Sequence, residues 1–248
     1  MKAMILAAGL GTRLLPLTED RPKALVQLGG RTLLEIALLR LRELGIREVI
    51  VNVHHFAAMV IEYLRSNEGF GMRIEVSREE TLLDTGGALK QAGWFFLADP
   101  ASDEPFLLHN VDVIHAIDLA RMVHCHEQRG ALATLAVQQR ASSRYLLFNE
   151  EGELCGRRLG RDGSAQMARV CERPQARAFS GVHVISPRLL AMMTETGAFS
   201  IVDLYLRLAA QAQKIVAFRT DGSYWRDVGT PQNLAEAEED ARQQLVNF

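Results

Sequence analysis

The sequence predicts an α/β fold, a Rossmann-like mixed and mostly parallel sheet flanked by helices. Three observations lead there. Short apolar runs alternate with segments of helical spacing through the first half, which means βαβ units. After Gly130 the pattern changes to short strands joined by turn-like links, the mark of a mixed-sheet insertion. The 248 residues are 48% hydrophobic and 23% charged, enough to build one large core.

The elements follow in order. Lys2–Ala7 reads as a buried strand, because its apolar run is too short for a secretory leader and breaks at Gly9 and Gly11. Thr32–Leu44 carries apolar residues at helical spacing and Gly45 ends it. Glu48–Val53 is a strand, Phe56–Leu64 a helix, Met72–Val76 a strand, Gly86–Phe95 a helix and Phe106–Asn110 a strand running into Val111 and Asp112. In the second half, Ala131–Gln138, Tyr145–Phe148, Leu154–Arg158 and Val170–Glu172 read as short strands, with turns at Asn149–Gly152 and Arg161–Gly163. Phe179–Ile185 is a further strand, Phe199–Ala212 a helix, and Lys214–Arg219 and Tyr224–Asp227 the last strands. Pro231 opens a terminal helix, as proline does at a first helical position. With no linker, repeat or low-complexity tract, one domain is expected over 1–248. Residues 1–130 form its first half, 131–230 the half with the inserted small sheet, and 231–248 the C-terminal helix.

Composition narrows the class of function. A net charge of -2 without a long basic run argues against nucleic-acid binding. No segment is apolar for long enough to span a bilayer, so no membrane partner is expected. Cys125, Cys155 and Cys171 are odd in number and match no zinc or redox spacing. They read as structural thiols in a reducing, cytoplasmic compartment.

The stretch Ala7-Ala8-Gly9-Leu10-Gly11-Thr12-Arg13 leaves the first strand where α/β sheets bind ligands. Two glycines let backbone N–H groups approach an anion, although by themselves they describe a tight turn equally well. A dinucleotide fingerprint is excluded because Leu14 stands where a third glycine belongs, and the P-loop Gly-Lys-Ser/Thr is missing. Cations come instead from Arg13 and from Lys23, whose backbone is set by Pro22. Together they make a triphosphate clamp.

The whole stretch LAAGLGTRLLPLTEDRPKALVQLGG resembles the signature of the nucleotide-sugar pyrophosphorylases, the sugar-1-phosphate nucleotidyltransferases. The resemblance implies the nucleotide-diphospho-sugar transferase fold, with the nucleotide on Ala7, Ala8, Gly9, Gly11 and Thr12, and Arg13 and Lys23 on the phosphates. Further matches run along nearly the full length. Asp84-Thr85-Gly86-Gly87-Ala88 is similar to the base-binding segment, implying nucleotide contacts at Thr85, Gly86 and Gly87. His109-Asn110-Val111-Asp112 resembles the motif whose aspartate binds Mg²⁺, and Trp225-Arg226-Asp227-Val228-Gly229-Thr230-Pro231 the motif of the second metal aspartate. Glu172-Arg173-Pro174 resembles the segment gripping the sugar phosphate, and Ser180-Gly181-Val182 a sugar-contacting strand. Asn110, Glu172, Arg173, Ser180 and Gly181 are the implied sugar contacts. Val111 departs from the family's glycine, Arg173 from its lysine, and Leu146 from a glycine near the sugar.

The implied reaction joins an NTP to a sugar 1-phosphate. The nucleophile is already anionic, so catalysis is positioning and charge neutralisation by Arg13, Lys23 and Mg²⁺ held on Asp112 and Asp227. Overall resemblance to short uridylyltransferases points to UTP and N-acetylmuramic acid 1-phosphate or a related envelope sugar. A GTP-dependent mannose- or heptose-1-phosphate guanylyltransferase is the alternative, and a monomer or homodimer is expected. A non-catalytic nucleotide-sugar-binding regulatory subunit is the rival of another class, opposed by the retention of Arg13, Lys23, Asp112 and Asp227. Outside the motifs, His54 and His55 read as capping or packing residues, and His115, His124 and His126 lack a complete zinc ligand set. The run Glu236, Glu238, Glu239, Asp240 reads as a solvated helix face.

Overall fold

The structure, a computed structural model, describes residues 1–99, 102–160 and 163–245. The first strand, β1 (Lys2–Leu6), divides its residues between two cores: Ala3 and Ile5 pack on one face and Met4 on the other. A small hairpin of β2 (Gln27–Leu28) and β3 (Arg31–Thr32) leads into helix α1 (Leu33–Glu43), capped by the Thr32 hydroxyl, which accepts the Glu35 amide at 3.1 Å. Then come β4 (Glu48–Val53), α2 (Ala57–Ser66) and β5 (Arg73–Arg78). Val49, Val51 and Val53 join the first core and Ile50 the second, as expected of strands covered on both faces.

The predicted helix over Gly86–Phe95 is two helices, α3 (Asp84–Gln91) and α4 (Gly93–Phe96). They are followed by β6 (Phe106–Asn110), β7 (Val113–His115) and α5 (Leu119–Arg129), an amphipathic helix capped by Asp118. Four strands follow, β8 (Ala133–Gln138), β9 (Arg144–Phe148), β10 (Leu154–Leu159) and β11 (Ala165–Met167). Long strand β12 (Gln175–Ile185) precedes α6 (Arg188–Ala191), α7 (Ile201–Ala210), β13 (Ile215–Arg219), β14 (Trp225–Asp227) and α8 (Pro231–Arg242).

Val170–Glu172 is not the strand its apolar character predicts; Ala165–Met167 takes that place beside β10. The Ala168 and Arg169 amides both turn back to the Cys155 carbonyl and end the ladder, leaving Val170 98% exposed. The predicted turn at Arg161–Gly163 includes residues 161–162, and the predicted C-terminal helix ends at 246–248; both stretches lie outside the described residues.

The central sheet runs β5-β4-β1-β6-β12-β8-β13. Among the described residues β12 alone opposes the direction of the other six, so the sheet is mixed and mostly parallel. The first three residues of β12 pair with β9, which extends antiparallel through β10 to β11 and forms the inserted sheet. The chain thus places the carboxyl ends of β1, β4, β5 and β6 along one rim. No helix among the described residues is long and apolar enough to cross a membrane.

Candidate active site

A cleft of about 250 Å³ opens at that rim, lined by Ala8, Gly9, Lys23, Asn110, Val111 and Asp112, and on its far wall by Asn52, Glu79, Asp84 and Thr85. Its floor is β1, the centre of the parallel set, from which the glycine loop departs. Ala7 and Ala8 are buried, and the Ala7 amide donates to Asn52 Oδ1 at 2.7 Å. Asn52 Nδ2 donates in turn to Glu79 Oε1 at 2.6 Å, and Glu79 Oε2 accepts the Leu83 amide at 3.0 Å. Three strand ends are tied together by two buried polar side chains. Neither was singled out from the sequence; the signal available was a single amide inside the apolar run Val49–Val53. His54 accepts a packing role here, its Nδ1 lying 2.9 Å from the Glu79 carbonyl.

Gly11 has φ +69°, and a Cβ there would stand 2.9 Å from Thr18 Cγ2, so the loop requires glycine at this turn. Gly9 is different. It is exposed, and a Cβ on it would meet nothing within 4 Å. Its open backbone is free to face a ligand. Thr12 and Arg13 begin a short 3₁₀ turn on the exposed side of the loop.

The two aspartates converge. Asp112 follows β6 and is nearly buried; its carboxylate pairs with the Lys23 ammonium. Strands β7 and β14 form an antiparallel ribbon in which Asp227 stands opposite Val113, and the Val228 amide donates to the Asp112 carbonyl at 2.9 Å. Asp227 Oδ1 accepts the Gly229 amide at 2.7 Å, and Arg13 Nη2 lies 3.7 Å from Asp227 Oδ2. A Cβ on Gly229 would come 2.6 Å from that arginine and 2.7 Å from Asp227 Oδ1. The glycine is what lets the two charges meet. Val111 is buried, donates its amide to the Leu6 carbonyl at 3.1 Å and is not among the residues with positive φ, so its β-branch is accommodated without backbone strain.

Arg13 and Asp227 thus form one cation–carboxylate pair and Lys23 and Asp112 another, the two joined by the backbone bond from Val228 to Asp112. The donor set fits Mg²⁺, which takes one or two protein carboxylates and completes its shell with water and phosphate oxygens. Among the described residues no cluster of three or more His, Cys, Asp or Glu side chains forms that would bind a metal alone.

The remaining expected residues fall in four groups. Asn110 and Thr85 line the cleft. Gly86 and Gly87 are buried in α3, their amides donating to the Phe199 carbonyl at 2.9 and 3.3 Å; a Cβ on Gly86 would sit 2.3 Å from the Phe199 ring. These glycines face the segment before α7, which Thr85 Oγ1 also holds by accepting the Ile201 amide. On the other side, Gly181 (φ +74°) lies against the Asn110 amide, 2.9 Å from where its Cβ would be, and Ser180 is buried beside it with its hydroxyl unpaired among the described residues. Glu172 and Arg173 are exposed on the loop before β12.

On the acidic face of α8, Glu236 and Glu239 are exposed and Glu238 and Asp240 half-buried. Arg226 pairs with Glu236 and, at 2.7 Å, with Asp240, fixing α8 to the strand that carries Asp227. His115 and His126 are buried in hydrogen bonds, not arranged as metal ligands: His115 Nδ1 accepts the Ile117 amide, and His126 contacts Thr134 and Ser186 at 3.0 Å.

Comparison with known proteins matches residues 2–244 to the nucleotidyl transferase family. The N-acetylmuramate alpha-1-phosphate uridylyltransferase of Caulobacter vibrioides is 34% identical over 245 residues, covering 95% of each chain. The mannose-1-phosphate guanyltransferase of Yarrowia lipolytica is 29% identical over 94% of this chain, which spans 62% of that longer protein. Among solved structures, a putative glucose-1-phosphate thymidylyltransferase from Bacillus anthracis superposes with a TM-score of 0.80 at 19% identity, covering 100% of this chain and 97% of that one. HddC from Yersinia pseudotuberculosis, complexed with GMP-PN, superposes at 0.75 with 21% identity, covering 97% and 99%. These two likenesses establish the shared fold.

Proposed function

The chain belongs to the nucleotidyl transferase family, and from that premise we propose that it transfers UMP from UTP to N-acetylmuramic acid 1-phosphate or a related envelope sugar 1-phosphate. The observation that carries the proposal is the Arg13–Asp227 and Lys23–Asp112 constellation beneath the glycine loop. It concentrates cations and metal-binding carboxylates where a triphosphate leaving β1 would lie.

In the proposed reaction an oxygen of the sugar phosphate attacks the α-phosphorus. A P–O bond forms, the α–β P–O bond breaks, and its electron pair leaves on pyrophosphate. The attacking oxygen is anionic, so no proton needs to be removed. Lys23 is the cation nearest the reacting phosphorus, held by Asp112 in a site where few waters compete. Arg13 reaches the outer phosphates from the loop. Mg²⁺ held by Asp112 and Asp227 would neutralise phosphate charge. Asn110, Gly181 and the Glu172–Arg173 loop would contact the sugar phosphate, with Arg173 offering a bidentate fork.

The choice of UTP rests on the 34% identity to the Caulobacter uridylyltransferase. The base would enter between Gly9 and the wall formed by Leu82, Asp84 and Thr85. The test is kcat/KM for UTP and GTP, each with muramic, mannose and heptose 1-phosphates, read as pyrophosphate release. A preference for UTP with the muramic substrate is expected; a clear preference for GTP would replace the uridylyl reading with the guanylyl one.

A further inference from the structure

A second hollow, of about 600 Å³, is lined by Arg140, Ser142, Tyr145, Arg158 and Ala176. Among the described residues its lining contains two guanidinium groups and no carboxylate. Arg140 stacks on Trp225, 3.5 Å from the ring centroid, and donates from Nη2 to the Phe179 carbonyl at 2.8 Å. Arg158 lies over Tyr145, 5.5 Å from its centroid. The Nε of each arginine is buried and unpaired among the described residues. Burial lowers the pKa of Arg140, opposed by the nearby Asp227 carboxylate, so this arginine lies within electrostatic reach of the proposed catalytic centre. A half-buried guanidinium with no carboxylate in salt-bridge contact among the described residues carries an electrostatic cost that an incoming anion reduces, and a planar fork suits carboxylate and phosphate alike.

The hollow is tied to the cleft by the chain itself. Phe179, whose carbonyl holds Arg140, is two residues from Gly181, which packs on Asn110 in the cleft. Ala176 follows the Glu172–Arg173 loop by only a few residues. Trp225, the platform under Arg140, is two residues from Asp227 and donates its Nε1–H to the Ser180 carbonyl at 2.8 Å. Strand β12 thus carries, within a few residues, both the carbonyl that holds Arg140 and the glycine that packs on Asn110 of the cleft.

We infer that Arg140 and Arg158 form a second anion site, selecting acceptors that carry a carboxylate or phosphate in addition to the phosphate at C1. The assignment rests on the sugar-phosphate reading of the neighbouring cleft. It explains why two arginines line a hollow beside a sugar site with no carboxylate among the described residues of its walls, and it makes the acceptor an acidic sugar.

Calorimetric titration of the full chain with matched pairs tests it. N-acetylmuramic acid 1-phosphate and N-acetylglucosamine 1-phosphate differ by one lactyl carboxylate; glucose 1,6-bisphosphate and glucose 1-phosphate differ by one phosphate. The wild type is expected to bind the more acidic member of at least one pair about tenfold tighter, the worth of one charge-assisted contact. The pair that shows the margin identifies the anion as carboxylate or phosphate. Arg140→Gln with Arg158→Gln should bring that ratio close to one, and Arg158→Gln alone, which leaves the Trp225 stack untouched, should reduce it. Lysine at both positions should restore part of it. Equal affinities within both pairs, or a margin that survives the double substitution, would overturn the anion site. Pyrophosphate release measured in parallel separates the two readings. A margin in binding with no release from any triphosphate would overturn nucleotidyl transfer and leave the anion site standing. Release with equal affinities would do the reverse.

Discussion

The Val228 amide donates to the Asp112 carbonyl at 2.9 Å. This bond continues the β7–β14 ribbon, whose pairing of Asp227 with Val113 sets Asp227 next to Asp112, although the two belong to different halves of the chain. If both carboxylates hold the metal, neither substitutes for the other. Asp112→Asn and Asp227→Asn are each expected to lower turnover by at least about 10² while keeping the circular dichroism spectrum, because asparagine preserves size and removes charge. Wild-type rates from the double variant in excess chelator would show that no metal is held there.

Lys23→Ala and Arg13→Ala should lower kcat more than they raise KM. Negative charge grows on the departing pyrophosphate, so a fixed cation there favours the transition state over the bound substrate. The loss for one such preorganised charge is about 10²–10³ in rate. A raised KM at constant kcat would assign these cations to ground-state binding only.

Two glycine-to-alanine substitutions separate ligand approach from packing. Gly9→Ala meets nothing within 4 Å and should leave the melting temperature unchanged while weakening nucleotide binding. Gly86→Ala would drive a methyl to 2.3 Å from the Phe199 ring and 2.9 Å from its carbonyl oxygen, and is expected to cost about 1–3 kcal/mol of stability. Thermal denaturation together with nucleotide titration of the two variants checks both halves. A Gly86→Ala variant as stable as wild type would show that the α3–Phe199 contact yields freely.

Asn52→Leu removes the acceptor of the buried Ala7 amide and the partner of Glu79 at once. Each buried group left without a hydrogen bond costs about 1–3 kcal/mol. A urea midpoint lowered in proportion is expected, together with weaker triphosphate binding because the loop after β1 loses its anchor. Unchanged stability would mean that water replaces the amide in that network.

Stability should also depend on pH through buried histidines. Burial pushes His126 down to about 4 and His183 to about 3, from an ordinary value of 6.5. The folded protein keeps both neutral while the unfolded chain protonates near 6.5, so the unfolded state binds more protons below that pH. Stability is complete above about 6.5 and falls as the pH drops toward 4 and then 3. The combined loss is on the order of a few kcal/mol. Urea unfolding at pH 7.5 and 4.5 measures it, and His126→Asn should flatten the slope.

How much of this was legible in the sequence depended on how local each feature is. Alternating strand and helix patterns, the Pro231 helix start and the glycine loop are all set by residues within a few positions of one another, and they appear in the structure close to where the sequence places them. Family membership, too, was readable from contiguous motifs. What the tertiary structure alone decided involves partners distant in the chain. Val170–Glu172 has strand-like composition but no ladder to join, because the Cys155 carbonyl captures the Ala168 and Arg169 amides first. Gly86 and Gly87 resemble a base-binding segment in sequence; only in space do their amides meet Phe199 and their missing side chains make room for Phe199 and Gly197. The pairing of Glu236 and Asp240 on α8 with Arg226 likewise shows only in space. Asn52, Glu79 and Arg140 carry no motif at all. Their roles arise only when parallel strands end side by side and β12 brings Phe179 beneath a guanidinium, because burial and charge pairing depend on three-dimensional neighbours and not on chain neighbours.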